Sequence, residues 1–455
     1  MGRIAIIGGG ISGLSLGYFL LERDPGLDLI IFEAEKKPGG KIWTDKVDGF
    51  LCEGGVNGFL DNKPRTLELS GKVSLEPLRS NDASRKRFIF SNGRLQRLPE
   101  SPPAFLGSGL MSLYGKLRIM AEMVIPGNAR EEETLAEFAR RRLGREAYEK
   151  LIDPMASGIY AGNPETLSLR ACFPKVYDLE ARYGGLIRGM MRLQREKKKQ
   201  GSREKVGAGP GGTLTSFYNG MDELISALRD SLGDRLRLGS RVQAIERKGR
   251  GYSLHFTDGS SIEADTVISA SPAHAVAEMV KNMDRRLSNL AAEIPYPAVS
   301  VVCLGYRKEK IRTAVDAFGF LIPSREKRKI LGTLYDSSIF PNRAPEGYVL
   351  LRSMVGGARF SDLARENEPK LLDLVKGELA DIMDIRAEPD FAKVYRHEMA
   401  IPQYTVGHLE RLRNIDALLQ KYKNLYLTGN AYRGIGVNDC IENSFMLAEK
   451  IIEES

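Results

Sequence analysis

Three glycines near the start of the chain have the spacing of a backbone turn that approaches a phosphate. Residues 4–7 are apolar and predict a strand, and Gly8, Gly10 and Gly13 follow in a GxGxxG pattern. Such glycines permit a tight turn, a close approach of backbone amides to a pyrophosphate, and close packing of helix on strand. Glu33 follows about 20 residues later, where a carboxylate can accept the hydroxyl groups of a ribose. The pattern predicts a dinucleotide-binding site.

The elements that would position these groups are a helix and a second strand. A helix that starts near Ser12 would direct its positive end at the phosphates, and residues 29–32 predict a strand that ends at Glu33. The uncharged run 4–21 also fits a signal peptide or a membrane span. Its glycines and serines argue against export, and its length is the minimum for a span.

Three more glycine-rich stretches narrow the choice of cofactor. Gly39, Gly40 and Lys41 follow the acid, and residues 53–58 form a second glycine-rich loop. Near the C-terminus a strand ends in a third glycine-rich segment, residues 429–436, and a helix follows. Together these segments resemble the flavin amine oxidase and phytoene desaturase superfamily. The resemblance implies non-covalently bound FAD, held by both ends of the chain.

The resemblance also implies which residues contact the FAD. They are Gly8, Gly9, Gly10, Ile11, Ser12, Gly13, Glu33 and Ala34 in the first segment, Gly40, Lys41, Gly55, Val56, Asn57 and Gly58 in the second, Val242 beside the adenine, and Asn430, Ile435, Gly436 and Val437 near the C-terminus.

Four further motifs, three in the middle of the chain and one near its C-terminus, are more specific. Residues 157–163 (SGIYAGN), 167–170 (LSLR), 318–323 (FGFLIP) and 437–441 (VNDCI) resemble the protoporphyrinogen oxidase family, which includes the related bacterial coproporphyrinogen oxidases. The resemblance covers nearly the whole chain. It implies oxidation of protoporphyrinogen IX to protoporphyrin IX in successive two-electron rounds, with oxygen as acceptor and hydrogen peroxide as product. Oxidation of coproporphyrinogen III to coproporphyrin III is the alternative.

The same resemblance implies the substrate site. Its residues are Arg87, which would grip a propionate, and Gly158, Ile159, Phe318, Gly319, Leu321 and Met354, which would enclose the macrocycle. The chemistry is assigned to the flavin N5, and no side-chain base is expected. Asn57 is a candidate orienting group, although Gly54, Gly55 and Val56 depart from the usual Gly-Pro pair before it. Without the family, Phe318, Leu321 and Met354 would be taken as sheet core.

The expected fold class is α/β, with a Rossmann-like FAD-binding domain of the GR2 type, a mixed-sheet substrate domain and a helical insert. The predicted boundaries are 1–80, 206–271 and 405–455 for the FAD-binding domain, 81–96 and 272–404 for the substrate domain, and 97–205 for the helical part. Apolar residues of the insert recur at helical spacing. The family resemblance implies that this insert associates with a membrane. A bundle core explains the same spacing equally well.

Composition sets wider limits. The 455 residues carry a net charge of +8, which favours an anionic partner, and nucleic acid ranks last because no aromatic residues interleave the basic clusters at 140–142 and 195–205. Those clusters could also be a solvated helix face and a loop. The four cysteines and four histidines are scattered, so neither a metal site nor a disulfide framework is expected. A cytoplasmic protein, peripheral on the inner face of the cell membrane and open to homodimer formation, fits these features.

Three other functions stay open at this stage. One is an amine oxidase or carotenoid desaturase on the same scaffold. The second is a relative that keeps the fold to bind prenylated proteins without FAD. The third is a membrane-surface scaffold with vestigial cofactor binding.

Overall fold

The computed structural model describes residues 2–199 and 211–454. The strands are β1 (Ile4–Ile7), β2 (Leu29–Phe32), β3 (Thr44–Val47), β4 (Phe50–Glu53), β5 (Phe59–Leu60), β6 (Leu78–Arg79), β7 (Arg87–Ser91), β8 (Arg94–Arg97), β9 (Leu214–Ser216), β10 (Leu236–Arg237), β11 (Val242–Lys248), β12 (Gly251–Phe256), β13 (Ser261–Ala264), β14 (Thr266–Ser269), β15 (Val299–Arg307), β16 (Gly319–Leu321), β17 (Ile330–Tyr335), β18 (Tyr348–Gly356), β19 (Phe391–His397) and β20 (Leu425–Leu427).

The α-helices are α1 (Ile11–Arg23), α2 (Pro64–Lys72), α3 (Pro102–Gly107), α4 (Leu113–Met120), α5 (Leu135–Arg142), α6 (Arg145–Ala147), α7 (Asp153–Tyr160), α8 (Leu169–Cys172), α9 (Pro174–Tyr183), α10 (Leu186–Lys199), α11 (Asp222–Leu232), α12 (Ala273–Val280), α13 (Arg285–Ala292), α14 (Asp336–Ile339), α15 (Gly357–Phe360), α16 (Glu368–Met383), α17 (His408–Leu419) and α18 (Val437–Glu453).

A five-stranded parallel sheet has the order β10-β2-β1-β14-β20. Strand β1 is apolar throughout because helices cover both of its faces. Ile4 and Ile6 pack into a core shared with α1, α11 and α18, whereas Ala5 and Ile7 pack into a second core with α12. The two ends of the chain therefore share one sheet.

A seven-stranded mixed sheet has the order β19-β15-β18-β17-β16-β7-β8. Strands β7 and β16 pair in parallel, and the other neighbours are antiparallel. Helix α16 covers one face, where Leu371 and Val375 pack with Val302 and Leu304. The other face is turned toward the site described below. The predicted α/β class with mixed sheets is confirmed.

The first basic cluster, residues 140–142, is not a solvated helix face. Arg142 is fully buried and forms an ion pair with Glu122, which is also fully buried. Arg141 forms an ion pair with Glu180 at 2.7 Å. Successive residues on a helix point in different directions, so adjacent arginines cannot share one exposed face. The second cluster runs from 195 to 205, and its part from residue 200 onward lies outside the described residues.

Helices α3 and α4 and the turn after them carry an exposed apolar surface, which we call the apolar ridge. Its members are Leu106, Leu113, Tyr114, Leu117, Met120, Met123 and Val124. Leu113 is 73%, Tyr114 77% and Val124 80% exposed. These side chains are therefore not part of a bundle core. Across residues 2–199 and 211–454, none of the helices has the length and apolar character needed to cross a bilayer.

Candidate active site

The glycine turn has a backbone geometry that larger residues would disturb. Gly8 has a φ of +112°, and its amide donates to the Phe32 carbonyl oxygen over 2.8 Å. A Cβ on Gly13 would lie 1.9 Å from the Gly8 carbonyl oxygen, so α1 packs on the turn without room for a side chain. The Gly9 amide donates to Glu33 Oε2 over 2.6 Å. The acid thus lies directly beside the turn.

Gly10 and Gly40 border an open space next to this turn. The Gly39 amide donates to the Gly9 carbonyl oxygen over 2.8 Å, so the second glycine segment runs along the first. Among the described residues, a Cβ on Gly10 would meet only the Gly40 Cα, at 4.0 Å. Lys41 has no ion pair or hydrogen bond with any described residue, and burial lowers the pKa of its ammonium group. A buried cation that has no counter-charge and lies near backbone amides is suited to bind an anionic pyrophosphate.

The third segment leads into α18, whose first residue is Val437 and whose N-cap is Gly436. Ser444 Oγ donates to the Ser12 carbonyl oxygen over 2.8 Å and ties α18 to α1. Both helices follow strands of the same parallel sheet, so both N-termini lie at its carboxyl edge. Ile435 is half-buried just before α18. Two helix N-termini therefore border one site.

Three further residues predicted to contact FAD lie at the margins of this site. Val242 is buried at the start of β11, and the amide of residue 240 donates to the Glu33 carbonyl oxygen over 2.7 Å. Ala34 is half-buried next to the acid. Asn430 follows β20, and its carbonyl oxygen accepts a hydrogen bond from a tyrosine hydroxyl over 2.6 Å.

The loop after β4, residues 53–58, contains an unpaired polar group. The carboxamide nitrogen and oxygen of Asn57 are buried, and neither has a hydrogen-bond partner among the described residues. Val56 packs on the core beneath α1, and a Cβ on Gly58 would lie 2.5 Å from a backbone oxygen of β9. A buried amide without partners is costly, which fits a site completed by a ligand.

Arg87 is an unpaired cation at the start of β7. Its guanidinium carbon lies 4.9 Å from the centroid of the half-buried Phe318 ring, and in the sheet it is the register partner of Gly319. Its side chain is exposed and forms no ion pair with a described residue. By contrast, Arg85 and Lys86 each pair with an aspartate, at 3.0 and 2.6 Å. Arg87 is thus free to bind an anion.

Apolar residues of the seven-stranded sheet and of α7 meet on one face of the sheet. Leu321, Gly332 and Met354 are register neighbours on β16, β17 and β18, so they share one face of the sheet. A Cβ on Gly158 of α7 would lie 2.8 Å from Leu321 Cδ2. Ile159, the next residue of α7, is 38% exposed. The structure therefore brings Gly158, Leu321 and Met354 into one apolar wall.

Sequence reasoning missed a buried polar group behind the loop after β4. Arg352 and Arg343 are nearly inaccessible, as are Glu53 and Asp336. Arg352 donates to Asp336 Oδ2 over 2.8 Å, and Arg343 lies 3.7 Å from Glu53 Oε1. The available signal was an arginine inside an otherwise apolar strand, because a buried charge requires a partner.

Glu53 is held without exposure to water. Its carboxylate accepts hydrogen bonds from Thr44 Oγ over 2.7 Å and from the Met221 amide over 2.9 Å. Burial outweighs these contacts and the nearby Arg343, and it raises the pKa of Glu53 from 4.5 to about 7.

This pKa predicts a pH-dependent stability. Between pH 4.5 and 7 the folded protein binds a proton at Glu53 that the unfolded chain has released, so the free energy of unfolding falls as pH rises. The expected loss across this window is about 3 kcal/mol. Urea unfolding at pH 5, 6, 7 and 8 of the wild type and Glu53→Gln measures it. The variant should lack this slope, and equal slopes would contradict the assignment.

The turn, the two helix N-termini, the acid and the uncompensated lysine define a dinucleotide-binding protein, and comparison with known proteins agrees. A profile of the flavin containing amine oxidoreductases matches residues 11–452. The chain is 31% identical to the coproporphyrinogen III oxidase of Bacillus subtilis (strain 168), over 97% of this chain and 96% of the relative. It is 33% identical to chloroplastic protoporphyrinogen oxidase 1 of Arabidopsis thaliana, over 98% and 87%.

A crystal structure from Exiguobacterium sp. 255-15, provisionally named a protoporphyrinogen oxidase, has a TM-score of 0.84, 27% identity and coverage of 100% and 99% of the two chains. The chain belongs to the flavin containing amine oxidoreductase family, in the group of the protoporphyrinogen and coproporphyrinogen III oxidases. It is an oxidoreductase whose cofactor is FAD. The resemblance inferred from the sequence is confirmed, and the two non-enzymatic alternatives are set aside.

Proposed function

We propose that this chain oxidises protoporphyrinogen IX to protoporphyrin IX, with molecular oxygen as the final electron acceptor and hydrogen peroxide as the product of its reduction. The observation that supports this substrate is the unpaired Arg87 at the edge of the wall formed by Gly158, Leu321 and Met354. A porphyrinogen is a large apolar macrocycle with carboxylate side chains. Its site needs apolar walls and a cation at the rim.

In this proposal the protein contributes binding, orientation and exclusion of water. FAD supplies a two-electron acceptor for hydride from a meso carbon of the macrocycle. Arg87 holds a propionate and fixes which edge of the macrocycle enters first. Leu321 and Met354 cover one face of the ring and displace water from it. The unpaired carboxamide of Asn57 orients the groups that meet at the loop.

Coproporphyrinogen III is the second candidate substrate. The relatives from Bacillus subtilis and Staphylococcus aureus, 31% and 30% identical, are named for it. It carries two more propionates in place of two vinyl groups. Arg85, Lys86 and Arg170 could have received them, but each has a carboxylate within 4.0 Å. Of these three and Arg87, only Arg87 is unpaired, which favours the less acidic substrate.

The test is to incubate the purified holoenzyme in air with each porphyrinogen, prepared anaerobically, and to follow porphyrin fluorescence and hydrogen peroxide. Protoporphyrin should form with the higher kcat/KM. Faster formation of coproporphyrin would establish the second candidate. Absence of both products from a yellow, FAD-loaded protein would contradict porphyrinogen oxidation while leaving the cofactor assignment intact.

We also propose that the apolar ridge rests on an anionic lipid surface. Seven apolar side chains lie on two short helices and one turn, and an exposed apolar patch of this kind marks a binding site. The net charge of +8 favours anionic lipid headgroups. Helices of this length lie in the interface and do not span it.

Leu113→Ser/Leu117→Ser should weaken binding to vesicles of mixed phosphatidylcholine and phosphatidylglycerol by at least about tenfold, because each leucine loses apolar burial. Co-sedimentation measures the partition coefficient. Met446→Ser is the matched control, since Met446 is 62% exposed but lies on α18, away from the apolar ridge. A wild type that stays in the supernatant would overturn the proposal.

We further infer that the chain divides into the three predicted parts. Strands of the parallel sheet come from 1–80, 206–271 and 405–455, strands of the seven-stranded sheet fall in or next to 81–96 and in 272–404, and α3 to α10 fall in 97–205.

A further inference from the structure

Two side chains of the seven-stranded sheet bind the backbone of the loop after β4. Arg352 Nη1 donates to the carbonyl oxygens of Glu53, over 3.4 Å, and Gly55, over 3.1 Å. His397 Nε2 lies 2.7 Å from the Gly54 carbonyl oxygen. Three consecutive carbonyl groups are therefore held by side chains from β18 and β19, the strands on either side of β15.

The protonation of His397 follows from its partner. A carbonyl oxygen only accepts, so Nε2 must carry the hydrogen. Burial lowers the pKa of His397, which favours the neutral ring. The donor is therefore a neutral imidazole with its hydrogen on Nε2.

Arg352 is itself fixed in direction. Its Nε donates to Asp336 Oδ2 over 2.8 Å, and both side chains are buried. The planar guanidinium group has donors in a rigid fork, so one edge on Asp336 directs the other at the loop. A buried ion pair of this kind is weak evidence for stability on its own. Its contact with two loop carbonyls supplies a different reason for its presence.

On its other side, the loop packs against residues 41–43, which directly follow Gly39 and Gly40. The Gly54 amide donates to the Trp43 carbonyl oxygen over 2.7 Å. A Cβ on Gly55 would lie 2.3 Å from the Lys41 carbonyl oxygen, and one on Gly54 would lie 2.8 Å from the Tyr395 ring. Residues 53–55 are therefore closely packed and hydrogen-bonded on both sides, and their position sets the direction in which the chain continues to residue 57.

We propose that Arg352 and His397 are positioning residues that hold the loop so that the Asn57 carboxamide stays directed at the flavin site. Arg352 also lies two residues from Met354, on the same face of β18. One strand thus carries both the wall of the substrate site and the support of the flavin loop. The proposal rests on the FAD site. It does not depend on which porphyrinogen is the substrate.

The test compares holoenzymes carrying Arg352→Lys, His397→Phe and His397→Gln. Lysine keeps a positive charge for Asp336 but lacks the fork, and phenylalanine removes the donor at the Gly54 carbonyl. We expect both to shift the visible absorption band of the bound flavin and to lower kcat by about tenfold with KM changed less than twofold, because a displaced loop misorients the reacting groups. His397→Gln, which restores a donor, should recover most of the loss.

Ser353→Ala is the control for general destabilisation. Ser353 follows Arg352 but points to the opposite face of β18, where it bonds to Thr333 Oγ over 2.8 Å. The Ser353→Ala substitution should lower the melting temperature and leave the flavin spectrum and kcat unchanged. The proposal is wrong if Arg352→Lys and His397→Phe keep the wild-type spectrum, or if Ser353→Ala reproduces their effects. Because the spectrum is measured without substrate, these outcomes do not depend on porphyrinogen turnover.

Discussion

Gly10→Ala is expected to yield a folded protein that has lost its FAD. The Gly10 backbone, with φ −77° and ψ 177°, suits any residue. Within residues 2–199 and 211–454, the new methyl group would meet only the Gly40 Cα, at 4.0 Å. Only a ligand between the two glycine segments would exclude the methyl group. We expect the FAD dissociation constant to rise at least about 100-fold, equivalent to about 2.7 kcal/mol. Fluorescence titration of the apoprotein with FAD measures the change.

Substitutions of two other glycines serve as controls for this result. Gly13→Ala places a methyl group 1.9 Å from the Gly8 carbonyl oxygen, so it should lower the melting temperature of the apoprotein as well as FAD affinity. Gly71 lies in α2, and an added Cβ there would have no atom of the described part of the chain within 4 Å, so Gly71→Ala should leave FAD affinity unchanged. Wild-type FAD affinity in Gly10→Ala would place the cofactor elsewhere.

Arg87→Ala is expected to raise KM for a porphyrinogen by about 10- to 100-fold without changing the flavin content. The substitution removes a charge-assisted hydrogen bond from Arg87 to a carboxylate of the substrate. Such a bond contributes about 1.5–3 kcal/mol. Arg87 touches the ring of Phe318 and none of the groups placed at the cofactor site. Steady-state kinetics with porphyrin fluorescence, together with the ratio of flavin to protein absorbance, separates the two effects.

Lys86→Ala is the matched control, because Lys86 precedes Arg87 but already pairs with Asp316 at 2.6 Å. It should leave KM nearly unchanged. Arg87→Lys should lie between the wild type and Arg87→Ala, since it keeps the charge but loses the planar fork. An unaltered KM in Arg87→Ala would remove this residue from the substrate site.

The parts of the fold that depend on local backbone geometry could be predicted from the sequence. The turn at Gly8, the close packing at Gly13 and the helix that begins at Val437 each require particular residue types within a few positions. The apolar strands on either side of the turn follow from their composition. The α/β class and a dinucleotide site could therefore be inferred from local patterns, and the resemblance of the glycine segments to flavin amine oxidases implied FAD.

What could not be predicted depends on pairing between distant segments. Arg87 and Gly319 are neighbours only because β7 and β16 pair in parallel, and no local pattern specifies that register. Arg352 and His397 likewise contact the loop at residues 53–55 through the packing of distant segments, which no local pattern specifies. The burial of Arg142 depends on Glu122, a residue in a different helical segment. Tertiary contacts of this kind override the exposed character that charged residues usually have.

The sharing of one parallel sheet by β1 and β20 has a consequence for biosynthesis. A ribosome makes the phosphate-binding turn among the first residues, but the strand and helix that close the site from the other side come only at residues 425–453. The nascent polypeptide must keep its N-terminal strand available for partners made several hundred residues later. Such sequence-distant pairing is slow to form. Flavin capture is thus expected to be a late event in maturation, and a release from the ribosome before residue 425 should give an apoprotein that cannot be loaded.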